Sequence, residues 1–225
     1  MQTANRQTIA VLDYGMGNLR SVSKALEHVA PDARVIVTDR RELIAAADRV
    51  VVPGQGAARD CMAALRRHAL VETLREAYRD KPFLGICMGL QVLFAHSEEN
   101  GGSDCLGLVP GEVRAFAEPL IEPPADAHHA GARLKVPHMG WNQVRQTPHP
   151  LWAGIDDGAR FYFVHSYYVD PTDAALAIGR CHYGHDFTCA IARANVFACQ
   201  FHPEKSAADG LRLLRNFTRW DGGAD

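Results

Sequence analysis

Apolar residues along this chain fall into short runs separated by polar turns, and the period of those runs alternates. Thr8 to Asp13 (TIAVLD), Ala33 to Val37 and Arg49 to Val52 read as strands, the third stopping at Pro53. Between them, Leu19 to Val29 and Arg40 to Ala47 carry helical spacing, and Asn18 is placed to cap the first helix. A helical segment from about Leu65 to Tyr78 leads through Lys81-Pro82 to a fourth strand, Phe83 to Ile86. Strands alternating with helices predict an α/β fold, an open twisted mixed sheet whose mostly parallel core is flanked by helices.

Past Leu106 the apolar runs change character. Glu112 to Phe116, Lys135 to Trp141, Arg160 to Val169, Ala174 to Arg180, Thr188 to Ala192 and Val196 to Phe201 read as strands, so the second half is expected to add an antiparallel extension. Residues 118–133 carry Pro119, Pro123, Pro124 and Gly131 and read as a loop insertion. A closing helix from about Ala207 to Trp220 turns Leu211, Leu213, Leu214 and Phe217 to the core. A single domain over 1–225 is expected, with 1–7 and 221–225 as frayed tails.

Composition narrows the classes. The 225 residues are enough for one full core, and an apolar fraction of 47% is ordinary for a globular chain. A formal net charge of −2 without a local basic patch predicts neither a nucleic-acid nor a membrane partner. The start, MQTANRQTIAVLDY, lacks a secretory pattern, which predicts a cytoplasmic protein. The six scattered cysteines (61, 87, 105, 181, 189 and 199) are then expected to be reduced thiols. Eleven histidines form no His-x-x-x-His pair, no Cys-x-x-Cys occurs, and His128-His129 lies in the insertion, so no metal and no cofactor are expected.

Candidate chemistry gathers at three places. Phe83 to Phe94 (FLGICMGLQVLF) passes from strand to helix around Cys87, and Gly85-x-Cys87-x-Gly89 is the cysteine counterpart of a nucleophile elbow. The glycines permit close approach of strand and helix, and the helix starting at Met88 directs its positive end at the sulfur. Pro53-Gly54-Gln55-Gly56-Ala57 after the third strand either offers backbone N–H groups at the sheet's carboxyl edge or is an ordinary loop. In Gln200-Phe201-His202-Pro203-Glu204, an extended backbone lets Glu204 hold the His202 imidazole, giving a base and its orienting acceptor. Tyr14-Gly15-Met16-Gly17-Asn18 lacks the third glycine of a dinucleotide fingerprint and carries Arg20, which argues against a phosphate cradle.

A Gly-x-Cys-x-Gly elbow with a late His-Pro-Glu resembles the class I, triad-type glutamine amidotransferases. Asp13 to Val22, Pro137-His138-Met139-Gly140-Trp141-Asn142, Phe161 to Tyr167 and Phe201 to Ser206 are similar to the glutaminase subunits of imidazole glycerol phosphate synthases, in order from Thr8 to Phe217. The resemblance implies glutamine hydrolysis in histidine biosynthesis: Cys87 attacks the side-chain amide, His202 shuttles protons, Glu204 orients it, and a glutamyl thioester is hydrolysed. It also implies an oxyanion hole from the backbone N–H groups of Gln55 and Met88, and a glutamine pocket lined by Gly56, Gln91, Glu99, His165, Ser166 and Tyr167. Ammonia would pass to a (β/α)8-barrel cyclase subunit in a heterodimer, with Met16, Asn18, Met139, Trp141, Tyr162 and Lys205 bordering that partner. The resemblance further implies that the Gln55 loop switches when the partner binds its substrate; family members often carry an apolar residue where this chain has Gln55. A triad glutaminase serving another synthase and a catalytically silent interaction subunit are the alternatives.

Overall fold

Five apolar strands line up in parallel at the centre of the molecule, and the last of them comes from the far end of the chain. The computed structural model describes residues 6–124 and 131–223. The first half runs β1 (Thr8–Leu12), α1 (Leu19–Val29), β2 (Arg34–Thr38), α2 (Arg41–Ala46), β3 (Arg49–Gly54), α3 (Ala58–Arg67), α4 (Val71–Asp80), β4 (Phe83–Cys87) and α5 (Met88–Gln91). Short strands β5 (His96–Ser97) and β6 (Ser103–Asp104) precede β7 (Gly111–Ala115), β8 (Leu120–Glu122), β9 (Ala132–Leu134), β10 (His138–Gln143) and β11 (Arg145–Gln146). The chain closes with β12 (Arg160–His165), β13 (Tyr167–Pro171), β14 (Ala177–Tyr183), β15 (His185–Arg193), β16 (Val196–Cys199) and α6 (Ala207–Arg219).

The main sheet has the order β2-β1-β3-β4-β16-β15-β13-β7-β5-β6, with β14 and β11 attached beside β15. Its β2 to β16 half is parallel, and β16–β15, β15–β13 and β13–β7 are antiparallel, as the change in sequence texture predicts. Strands β3, β4 and β16 are buried along their whole length because helices cover both faces of a parallel core. The decisive insertion is β16 beside β4, with Cys199 opposite Ile86. Residues that follow these two strands leave the sheet at the same edge.

Several boundaries differ from the sequence reading. The Asn18 side chain makes no capping bond; instead its carbonyl accepts from the Val22 N–H at 3.1 Å. The helix expected over 65–78 is two helices, because the chain reverses at Ala69 with φ +54° between α3 and α4. Strand β3 continues through Pro53, which is tolerated because β1 pairs with it only over Arg49–Val51. The strand expected over 160–169 divides at Ser166, β12 pairing with β10 in a separate small sheet and β13 joining the main one. The helix after Cys87 lasts one turn: the carbonyls of Val92, Leu93 and Phe94 accept from Leu106, Leu108 and Gly107 instead of continuing it.

The ends of the 118–133 insertion form a β8–β9 hairpin, with Leu120 opposite Leu134 and buried. Glu122 ties it down, accepting from the Gly184 N–H at 2.9 Å and meeting His182 at 3.1 Å. His128-His129 lies outside the described residues. Arg6 and Gln7, expected in a frayed tail, are tied down: the Arg6 guanidinium donates to the Pro31 and Asp32 carbonyls and Gln7 accepts from the Arg34 N–H. Among the described residues no helix is long and apolar enough to cross a membrane.

Candidate active site

Cys87 ends β4 at φ +56°, ψ −108°, a left-handed conformation forced on a residue with a side chain. The flanking glycines explain how it is held there. A Cβ on Gly89 would run into the Val52 carbonyl, and one on Gly85 would lie 2.6 Å from the Gly89 carbonyl oxygen. Strand and helix therefore close tightly on both sides of the sulfur. A one-turn helix contributes little macrodipole, so the charge environment of the sulfur comes mainly from its neighbours.

His202 and Glu204 follow β16 and meet Cys87 at the shared sheet edge. His202 Nδ1 lies 3.0 Å from Glu204 Oε1, with both side chains almost wholly buried. The backbone is pinned on two sides: the His202 N–H donates to the Tyr162 carbonyl at 2.9 Å, and Ser206 Oγ donates to the His202 carbonyl while accepting from Tyr162 N–H. Burial works against a charge on His202, but the Cys87 sulfur and the Glu204 carboxylate outweigh it and raise its pKa to about 10. Its Nε2 is buried without a formed hydrogen bond. The arrangement places an imidazole next to a thiol and a carboxylate behind it, the order needed for proton transfer at a nucleophilic sulfur.

These groups open into a cavity of about 470 Å³ lined by Gln55, Gly56, Cys87, Met88, Gln91, Glu99, Pro137, Val164, His165, Ser166, Tyr167, His202 and Lys205. All the residues singled out from sequence for the oxyanion hole and the glutamine pocket line it. Gly56 adopts φ +90°, and the Gln55 carbonyl accepts from the Cys61 thiol at 3.5 Å. Tyr14 donates to the Pro53 carbonyl at 2.9 Å, so the loop is held at both Pro53 and Gln55. Burial pushes the Cys61 thiol up to about 12, which keeps this second sulfur protonated. Glu99 spends one oxygen on the Ala58 N–H at 2.6 Å.

His165 lines the cavity, as expected, and both of its ring nitrogens are already paired within the protein. Its Nδ1–H donates to the Tyr167 carbonyl at 2.7 Å, and its Nε2 accepts from His138 Nδ1–H at 2.9 Å. His138 Nε2 in turn accepts from the Asn142 amide at 3.2 Å, and that amide also donates to the His182 carbonyl. Both rings are neutral, since burial lowers His165 to about 3 and His138 to about 4. His165 therefore forms wall and buttress, with no ring nitrogen left for a ligand.

Sequence reasoning missed Gln200, which is fully buried and directs Nε2 at the Cys87 sulfur, 3.6 Å away. The one available signal was its place two residues before His202. Of the residues expected at a partner border, Lys205 lines the cavity, and Met16, Asn18, Met139, Trp141 and Tyr162 do not. Met139 and Trp141 are exposed large apolar residues, 62% and 48% accessible, Trp141 meets Tyr162 edge-on, and Lys205 sits 5.9 Å over the Tyr162 ring. Met16 packs where a side chain on Gly56 would be. Asn18 is partly buried at the start of α1.

Against this geometry, comparison with known proteins is specific. The family model "Glutamine amidotransferase class-I" matches residues 10–220. The chain belongs to the class I glutamine amidotransferases. Within them it is 60% identical over 214 residues to "Imidazole glycerol phosphate synthase subunit HisH" of Dechloromonas aromatica (strain RCB), covering 95% of this chain and 97% of that one. It is 61% identical over 218 residues to the protein of the same name from Thiobacillus denitrificans (strain ATCC 25259 / T1), covering 96% and 92%. Among solved structures, "Structure of PurLQS from Thermotoga maritima" matches with a TM-score of 0.69 at 17% identity over 95% of this chain and 98% of that one, a likeness of fold. The mixed sheet with its parallel core is thus the amidotransferase arrangement.

Proposed function

We propose that this amidotransferase hydrolyses glutamine with Cys87 as nucleophile, His202 as proton shuttle and Glu204 as the group that orients it. The carrying observation is the buried His202–Glu204 pair set at the same sheet edge as the strained Cys87. Cys87 attacks the amide carbon, its electron pair forming the S–C bond while the carbonyl pair moves to oxygen. His202 gives its proton to the departing nitrogen, ammonia leaves, and water attacks the thioester with His202 as base, releasing glutamate. Backbone N–H groups of Met88 and Gln55 are the proposed oxyanion donors, and Glu99 is suited to the substrate's ammonium through its remaining oxygen.

The chain is read as a single amidotransferase domain of a cytoplasmic enzyme in histidine biosynthesis. Its ammonia goes to a cyclase subunit of imidazole glycerol phosphate synthase, a (β/α)8 barrel in a heterodimer with this chain. The support is the high identity to subunits of that name and the exposed Met139–Trp141 face beside the pocket mouth. Cys87→Ala is expected to abolish glutamine-dependent synthesis by the assembled complex, while synthesis from added ammonium proceeds within twofold of wild type. Equal loss of both activities would contradict the division of labour.

A further inference from the structure

Two buried side-chain amides stand between the Cys87 sulfur and the pocket wall, and their surroundings permit one orientation of both. The Tyr167 carbonyl can only accept, so the Gln91 atom 3.3 Å from it is Nε2. The same nitrogen's second contact, 2.9 Å to Gln200, must then meet an acceptor, which places Gln200 Oε1 there. With its oxygen committed, Gln200 turns Nε2 to the sulfur at 3.6 Å. Sheet register enforces the approach: Cys199 pairs with Ile86, so Gln200 and Cys87 are neighbours as the two parallel strands end. The Tyr167 carbonyl is itself fixed by the His165 ring.

We propose that Gln200 is a further catalytic residue: its Nε2–H donates to the Cys87 sulfur and stabilises the anion that attacks, and Gln91 locks the polarity of that donor. This rests on the glutaminase reading above. The bond is strongest to a negatively charged sulfur. No proton passes through the two amides; they orient and polarise only. With both N–H groups of Gln91 committed, its Oε1, buried and unpartnered at the cavity wall, is left as an acceptor for an N–H of the substrate.

Gln200→Met keeps the length and bulk of the side chain and removes the amide. Alkylation of Cys87 by iodoacetamide at pH 7, followed by mass spectrometry of its peptide, is expected to slow roughly 3- to 10-fold, since one hydrogen bond to a charged acceptor changes the thiolate fraction and about half of that is returned as nucleophilicity. The kcat for glutamine hydrolysis in complex with the cyclase should fall over the same range, with the thermal midpoint and co-elution with the cyclase retained. Alkylation and kcat within twofold of wild type in a folded variant would overturn the proposal. Should Gln200→Met lose its thermal transition, Gln200→Glu, which keeps an acceptor for Gln91 but turns an oxygen to the sulfur, decides by the same two readouts. A wild-type complex that hydrolyses no glutamine refutes the glutaminase reading instead, and the alkylation comparison still decides Gln200.

Discussion

A histidine pair rather than an ion pair buttresses the cavity wall. His165 and His138 are hydrogen-bonded in fixed tautomers, which a proton on either ring would break. Their pKa values are lowered by burial to about 3 and about 4, against an ordinary histidine value near 6.5. Below pH 6.5 the unfolded chain takes up protons that the folded chain refuses. Stability contributed by the pair is therefore full above pH 6.5 and declines as pH falls toward 4. At pH 5.5 the loss from the two together is roughly 3 kcal/mol. Urea unfolding at pH 7.5 and 5.5 is expected to show it, and His138→Gln should lose about half as much over the same interval. A wild type and variant with equal pH dependence would remove the pair from the account.

Among elements, the late strand β16 matters most, because its place beside β4 delivers Gln200, His202 and Glu204 to a cysteine more than a hundred residues earlier. The β8–β9 hairpin matters least to chemistry. None of its described residues lines the cavity, and it is anchored to the β14–β15 turn through Glu122. Glu122 pairs directly with Ala132, so a two-residue turn can join them. Replacing 123–131 by Asn-Gly is expected to leave kcat and KM for glutamine within twofold of wild type. A loss of tenfold or more in either would assign the insertion a part in the site.

At the scale of the whole molecule, the cavity opens beside an apolar face on a chain of nearly neutral net charge. Alternation along β10 turns His138 and Asn142 inward to the histidine buttress and leaves Met139 and Trp141 outward. The strand that carries the proposed partner surface thus also carries the pocket's support. Exposed Trp at the centre of an interface commonly contributes 2 kcal/mol or more. Trp141→Glu is expected to weaken binding to the cyclase by roughly 30-fold or more in a titration, with the thermal midpoint of the chain unchanged. Unaltered affinity would move the partner to another face.

The sequence by itself determined the strand–helix alternation, the elbow at Cys87 and the His202-Pro203-Glu204 unit. Each is local: apolar period, paired glycines and two-residue spacing act between near neighbours. Element ends were less legible, because α5 stops where the 106–108 loop supplies the carbonyls of Val92, Leu93 and Phe94 with other donors, and β12 and β13 part at Ser166 to join different sheets. Tertiary structure alone decided the tautomers of His138 and His165, the bracing of the Gln55 loop by Tyr14 and Cys61, and the place of Gln200. Those depend on strand order and register between distant segments, and a hydrogen bond's direction follows from every partner around it.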